Sequence, residues 1–336
     1  MAKLTRILSI DGGGIRGLVP AMVLISLEQK LKERTGNPNM RIADAFDLIA
    51  GTSTGAILTC GCLCPDSESA PTRPRFSAEE IKELFVRRGG EIFSASLWQK
   101  ICSVHGLNRE RYEAKGLETV MVEYFGDLKL SNLLRPCLIT AYDIERRQAR
   151  FFTQHTAGGQ VKNDYLVRDV IRAATAVPTY FPVARVESVA GVRSPLIDGS
   201  VFAGNPALCA FAEARKKLAG SPSTEQMAIL SLGTGYITRA YDYTSVKNWG
   251  SLRWIAPLIH IMLSGVTQTV SHQLTYIFDA AGVPEQYLRV DRELHEASPA
   301  LDDTSPENLN VLQQDGTQTA EEFGDKLDEF VQFLLG

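Results

Sequence analysis

The sequence predicts an α/β fold on three observations. Short apolar runs alternate with helix-periodic stretches through the first half of the chain, as in strands alternating with helices. Two glycine-rich turns, Asp11–Gly17 and Gly51–Gly55, each stand where a strand-like run meets a helix-like one. Apolar residues are 44% of the 336 and charged residues 22%, enough to bury a sizeable core. That balance excludes a disordered chain, a collagen and a disulfide scaffold, and the length suits one large domain or two ordinary ones.

Taken in order, Ile7–Ile10 reads as a strand. Leu18–Glu33 reads as a helix, because Leu24, Leu27 and Leu31 recur at three- and four-residue spacing. Phe46–Ala50 is a second strand, followed by a helix of small residues. Pro65–Pro74 is a loop rich in Pro and Ser. Ser77-Ala-Glu-Glu80 is a capping box that opens a helix. Cys137–Ala141 and Ala149–Phe152 read as strands, and Leu166–Thr175 as a helix that must end before Pro178. Ser194–Asp198 is a short strand, Pro206–Leu218 a helix with Pro at its start, and Ala228–Leu232 a strand running into Gly233-Thr-Gly235. Beyond that the alternation fades. Leu252–Ala281 predicts mostly helix, and Ser305–Gly336 a polar linker with a terminal helix.

Lys plus Arg is 35 and Asp plus Glu is 39, a net charge of −4, so the chain carries no global footprint for nucleic acid. The six cysteines, Cys60, Cys62, Cys64, Cys102, Cys137 and Cys209, have an ordinary intracellular density and are expected as free thiols. Cys60-Gly-Cys62-Leu-Cys64 is not a usual zinc spacing, and no partner pair stands elsewhere, so no metal is expected. Met1–Arg6 shows no basic region followed by an apolar stretch, which predicts no secretion signal and a cytoplasmic location. The longest apolar region, Trp254–Val266, contains Pro257, His260 and Ser264 and is too short to span a bilayer. Contact with a membrane surface stays open.

The loop Asp11-Gly-Gly-Gly-Ile-Arg-Gly17 lets backbone amides approach an anion at a helix start. Two anions suit it: a dinucleotide pyrophosphate, or the oxyanion of acyl transfer. Gly12-x-Gly14-x-x-Gly17 matches the dinucleotide fingerprint, which also needs an acidic residue ending the second strand. Here Asp47 lies near that strand's start, and its end is Gly51-Thr-Ser53-Thr-Gly55. A Walker loop is excluded because no Gly-Lys-Ser/Thr follows. The loop alone does not choose between the two anions. The second turn does: G-x-S-x-G between strand and helix is the pattern that exposes a serine Oγ. Small residues fill many such turns, so the pattern is weak by itself. Paired with an anion loop at the same sheet edge, it supplies what acyl transfer requires.

A serine needs a base. None of His105, His155, His260, His272 and His295 has a Gly or strand-end context that marks it as catalytic. Asp198 follows a short strand and precedes Gly199, but a plain Asp-Gly turn is common and by residue type alone is the better reading.

These residues, in this order and spacing, resemble the patatin-like phospholipase family: Asp11–Gly17, Gly51–Gly55 and Asp198-Gly199. Ala173–Pro182 and Ser231–Gly235 are similar to further stretches of it. The resemblance covers Arg6 to Tyr236 and weakens beyond Trp249. It implies a three-layer α/β/α fold with a mostly parallel central sheet and a C-terminal helical extension. Residues 1–290 would form the catalytic domain, with 291–336 a linker and helix packed on it. It implies a Ser–Asp dyad without histidine: Ser53 as nucleophile, Asp198 as proton acceptor, and the amides of Gly12, Gly13 and Gly14 as oxyanion hole, with no cofactor. Asp-Gly-Ser stands here where many members have Asp-Gly-Ala or Asp-Gly-Gly, and the third residue is small in each. The implied activity is a lipid acyl hydrolase acting on membrane phospholipid or lysophospholipid, peripheral at the membrane. Some bacterial members are effectors switched on by cyclic dinucleotides in anti-phage defence, but no sequence feature establishes such a partner. The competing classes are a nucleotide-dependent oxidoreductase, weakened by the missing ribose acid, and a non-catalytic storage or interaction protein, weakened by the intact Ser53, Asp198 and glycine loop.

Three further features have two readings each. Arg16 is a contact for a phosphate headgroup or a member of a structural ion pair, in equal measure. Leu252–Ile261, with Trp249 and Trp254, lines an acyl channel or touches a membrane, the plainer reading being a core helix. The terminal helix puts Phe323, Leu327, Val331 and Leu334 on one stripe, with Glu321, Glu322, Asp325, Asp328 and Glu329 on its other face. Anionic lipid would repel that face, so the stripe is expected to dock on the domain.

Overall fold

A computed structural model describes residues 4–67, 73–93, 114–238 and 241–336. Cys102 and His105 lie outside the described residues. The strands are β1 (Thr5–Ile10), β2 (Leu48–Thr52), β3 (Cys137–Asp143), β4 (Gln148–Thr153), β5 (Ala184–Glu187), β6 (Arg193–Asp198), β7 (Met227–Leu232) and β8 (Tyr287–Val290). They form one sheet in the order β5-β6-β3-β2-β1-β7-β8, with β4 also paired to β3. β3, β2, β1, β7 and β8 are parallel, and the β4, β5 and β6 pairings are antiparallel.

The longer helices are α1 (Leu18–Thr35), α2 (Thr54–Leu63), α3 (Ala78–Ile92), α4 (Lys115–Phe125), α5 (Val167–Ala174), α6 (Ala207–Lys217), α7 (Ser251–Ala280), α8 (Pro306–Glu322) and α9 (Gly324–Leu335). Strand alternation divides the core in two. Leu8, Ile10, Ile49, Leu230 and Leu232 face α1–α5, α8 and α9. Ile7, Leu48, Leu138 and Ile229 face α6 and α7. The period-2 pattern thus buries both faces of the sheet and gives three layers. Ser77 opens α3 as the sequence indicates: its Oγ accepts the Glu80 amide while Glu80 accepts the Ser77 amide.

Three stretches depart from the sequence reading. Tyr287–Val290 is a strand, β8, although the alternation had faded. Pro306–Glu322 is helix rather than linker. Ser305 Oγ caps it at the Asn308 amide, and Pro306 occupies its first turn. Leu309, Leu312 and Ala320 share its buried face with Gly316, where a Cβ would lie 2.7 Å from Met22 Cβ, so α8 crosses α1 at close range. The third is α7, whose two halves differ. Val270, Leu274 and Phe278 are buried beside Phe211 and Tyr287. Leu258, Ile261 and Met262 are 47%, 42% and 47% exposed, so the core-helix reading fails at these three residues. In α9, Leu327, Phe330, Val331 and Leu334 are buried, and Asp328 accepts an ion pair from Lys30 at 2.7 Å.

Cys60, Cys62, Cys64 and Cys137 are buried free thiols, and Cys209 is half-buried. Among the described residues no group of three or more side chains is placed to hold a metal ion, and no helix is long and apolar enough to cross a membrane.

Candidate active site

Strand β3 brings the two key residues together. β4 occupies one edge of β3 from Leu138 to Asp143. Along the other edge β2 arrives parallel and ends with Thr52 opposite Thr140. β6 arrives antiparallel and ends with Asp198 opposite Ala141. The two strands run toward each other and stop at adjacent positions of β3. Ser53, the residue after β2, therefore meets Asp198, the last residue of β6.

Ser53 sits at φ 53°, ψ −121°, left-handed backbone for a non-glycine residue, at the entry to α2. The flanking glycines permit this sharp turn. A Cβ at Gly51 would fall 2.2 Å from Gly55 O, and one at Gly55 would fall 2.2 Å from Ile10 O. This is the elbow that G-x-S-x-G implies.

Asp198 is fully buried. Its Oδ1 accepts the Ser200 amide at 2.7 Å. Its Oδ2 is buried with no hydrogen-bond partner among the described residues. Burial pushes the carboxyl up to about 6, with the nearby Ser53 hydroxyl and the Ser200 amide pulling it back. The Ser53 hydroxyl is thus close by, without the short, well-aligned bond expected of a dyad at work, as is common in ligand-free sites. A Cβ at Gly199 would lie 2.2 Å from Thr140 Oγ1, so the residue after Asp198 must be glycine for β6 to close on β3. Of the described histidines, His155 pairs with Glu213 at 2.7 Å and His272 packs on Tyr276. No described histidine lines the cavities at Ser53.

The glycine loop lies alongside. The Gly12 amide donates to Gly204 O at 2.9 Å and is therefore engaged. That removes one of the three expected oxyanion donors. The amides of Gly13 and Gly14 have no partner among the described residues. Gly14 has φ 60°, and a Cβ there would strike Leu301 O. A Cβ at Gly13 would lie 2.3 Å from Thr234 Oγ1.

Ser53, Gly14, Val177 and Leu301 line two adjoining cavities. One is narrow and apolar, walled by Ile57, Phe85, Ile92, Phe93, Leu117 and Phe181. The other is larger and mixed, with Arg16, Asp198, Thr234, Gln268, Arg289 and Asp291 set among apolar walls. Arg16 forms no ion pair among the described residues, and its Nε is buried without a partner. Burial lowers its pKa, with Asp291 opposing. The ion-pair reading of Arg16 therefore does not hold.

Sequence reasoning missed Arg289. Its guanidinium grips both oxygens of Asp11, at 3.0 and 2.6 Å, and reaches Asp291 at 2.7 Å. No short motif marks it, because its meaning lies in its register opposite Ser231. Leu301 was also missed; its carbonyl accepts the Ile15 amide at 2.8 Å.

The model of the family described as "Patatin-like phospholipase" matches residues 8–211. "Patatin-like protein 2" of Arabidopsis thaliana is 33% identical over 94% of this chain and 83% of its own length. "Patatin-like protein 1" of Oryza sativa subsp. indica is 31% identical over 91% and 78%. "Patatin" of Solanum tuberosum is 30% identical over 94% and 83%. A crystal structure of VipD from Legionella pneumophila aligns with 98% of this chain and 67% of its own, at 11% identity and a TM-score of 0.41. With a family model over more than half its length and relatives matched nearly end to end, this chain belongs to the patatin-like phospholipase family.

Proposed function

We propose that the protein hydrolyses fatty acyl esters of phospholipids or lysophospholipids by two-step acyl transfer on Ser53. Family membership implies lipid acyl hydrolase activity. The observation that carries the finer reading is the meeting of Ser53 with a buried Asp198 whose Oδ2 has no other partner, beside two unengaged amides. Ser53 Oγ attacks the ester carbonyl carbon and passes its proton to Asp198. The carbonyl oxygen becomes anionic and takes hydrogen bonds from the Gly13 and Gly14 amides, each such donor contributing about 10²–10³ in rate. The C–O bond to the alcohol breaks, and Asp198 returns the proton to the leaving oxygen. Water, giving a proton to Asp198, then attacks the acyl carbon; the bond to Ser53 Oγ breaks, Asp198 returns the proton to Oγ, and the fatty acid leaves. An aspartate of ordinary pKa, about 4, is a poor base at neutral pH. Burial brings Asp198 to about 6, nearer the working range.

The two cavities suit the two halves of such an ester. The narrow apolar one fits the acyl chain, and the polar groups of the larger one fit the headgroup, with Arg16 as the cation for its phosphate. Leu258, Ile261, Met262, Tyr241 and Tyr243 are exposed, and three of them, Tyr241, Ile261 and Met262, line the large cavity. From Tyr243 to Phe278 the chain carries Lys247 and Arg253 and no Asp or Glu. An apolar, slightly basic face at the cavity mouth favours a lipid surface as the place of work.

The test is a fluorophosphonate probe together with lipid profiling of a membrane extract. Wild type should be labelled on Ser53 and release fatty acid, and Ser53→Ala should do neither. Labelling of another serine, with release retained in the variant, would overturn the reading.

A further inference from the structure

We propose that Arg289, on β8, is a positioning residue that fixes the peptide frame of the glycine loop, and so the Gly13 and Gly14 amides. The proposal rests on the reading of those amides as oxyanion donors.

Ser9, Ser231 and Arg289 are neighbours in register across β1, β7 and β8. Both serines are small and wholly buried. The long Arg289 side chain therefore crosses β7, donates to Ser231 Oγ at 2.8 Å and arrives at Asp11, the first residue after β1. Its planar fork binds both Asp11 oxygens, a geometry that a lysine ammonium cannot reproduce. Nη2 also bonds Asp291, whose other oxygen accepts the Gly235 amide at 3.0 Å. Next to Gly235, Thr234 Oγ1 donates to Gly12 O at 3.1 Å. One guanidinium thus ties the 11–14 loop to the 233–235 loop through two carboxylates. Asp11 is 2% exposed, so a carboxylate deprived of this partner is a buried, uncompensated charge. Arg289 touches the loop only through Asp11 and Asp291, so its effect on the reaction is on where the amides stand.

A structural role alone would tie rate to stability, and a paired variant separates the two. Arg289→Met should lower both melting temperature and turnover. Arg289→Met with Asp11→Asn strands no wholly buried charge, since Asp291 is part-exposed and keeps the Gly235 amide, and should recover most of the melting temperature. On a soluble short-chain p-nitrophenyl ester its kcat, per site titrated by phosphonate, should stay about 10- to 100-fold below wild type with KM within about twofold. Arg289→Lys should fold and show the same kcat loss. Amide hydrogen exchange in the peptide containing Gly12–Gly14 should quicken in all three. If the paired variant regains kcat along with stability, or if exchange in that peptide is unchanged, Arg289 is not a positioning residue. The exchange readout needs no turnover. Should Ser53→Ala hydrolyse esters as fast as wild type, the functional reading falls, and exchange still decides whether Arg289 holds the loop.

Discussion

Between Ile10 and Asp198 the site is built by backbone, whereas between Met227 and Leu301 it is built by side chains. In the first stretch, Ser53 is placed by a left-handed turn, Asp198 by a strand that stops next to the end of β2, and the amides by a run of glycines. In the second, Thr234, Arg289 and Asp291 reach toward that run and hold it, with the Leu301 carbonyl closing the far side. Groups that react stand here at an element's end, so their positions are set by dihedral angles and close approach. Groups that hold have only to span a gap. The two stretches should therefore fail differently when altered: the first by losing chemistry with the fold intact, the second by losing geometry and stability together.

The largest effect belongs to the first stretch. Ser53→Ala removes the proposed nucleophile, and ester hydrolysis should fall by roughly 10⁴–10⁶-fold, measured on the soluble ester. Its melting temperature should not drop, because the smaller side chain relaxes nothing in the core. A fall in stability as large as that of Arg289→Met would erase the contrast between the two stretches.

Asp198→Asn comes next, with a loss of about 10²–10⁴ in kcat. It also carries a stability signature of opposite sign. The folded carboxyl titrates at about 6, against an ordinary value of 3.8. Ionising it costs the fold, and the cost is fully present above pH 6 and absent below about pH 4. Asparagine should therefore raise stability at pH 7.5 by up to about 3 kcal/mol and leave it unchanged at pH 4. Melting curves at the two pH values measure this directly. An equal change at both would mean that Asp198 enters the folded state already charged at no cost. His272→Gln and His295→Gln should each stay within about tenfold of wild type, since the proposed dyad has no place for an imidazole.

The pH profile sharpens the comparison, because each stretch has an aspartate in play. In wild type, kcat/KM should drop tenfold per unit below about pH 6 and be level above it, since protonated Asp198 cannot accept the serine proton. Burial pushes Asp11 upward as well, with the Arg289 guanidinium drawing it down. Asp11→Asn should keep the acid limb at a lower plateau. A limb that vanishes in Asp11→Asn would assign the titration to the holding cluster.

This division also explains what could be read from the sequence. Glycine spacing and a strand-end serine leave short local traces, so Gly12–Gly14, Ser53 and the strands around them were legible. Asp198 was legible only through the resemblance, because Asp-Gly is an ordinary turn until β6 is known to converge on β2. The loss of the Gly12 amide to Gly204 depends on a contact 192 positions away and has no local sign. Arg289 is one arginine among 35 basic residues, in a strand of only four. Its role follows from two buried serines in register with it, a property of the folded sheet. The helix over Pro306–Glu322 was hidden by polar residues, although Ser305-Pro306 is a helix start.

The smallest effect on chemistry is expected at Leu258, in the first half of α7, and at Tyr243 ahead of that helix, both in the second stretch. Leu258 and Tyr243 are exposed and line neither cavity. Leu258→Asp with Tyr243→Asp should leave kcat on the soluble ester within about twofold, a surface change away from packed features. On vesicles the two acids add repulsion and remove apolar contact, each buried CH₂ being worth about 0.8 kcal/mol at a membrane. Hydrolysis of vesicles with a 30% anionic lipid content should fall several-fold, and co-sedimentation with them should weaken in step. If vesicle hydrolysis is unchanged while a wild-type dimer dissociates in the variant, this face binds a second copy of the chain. If soluble-ester turnover collapses as well, the first half of α7 holds the site as Arg289 does, and the second stretch has one role instead of two.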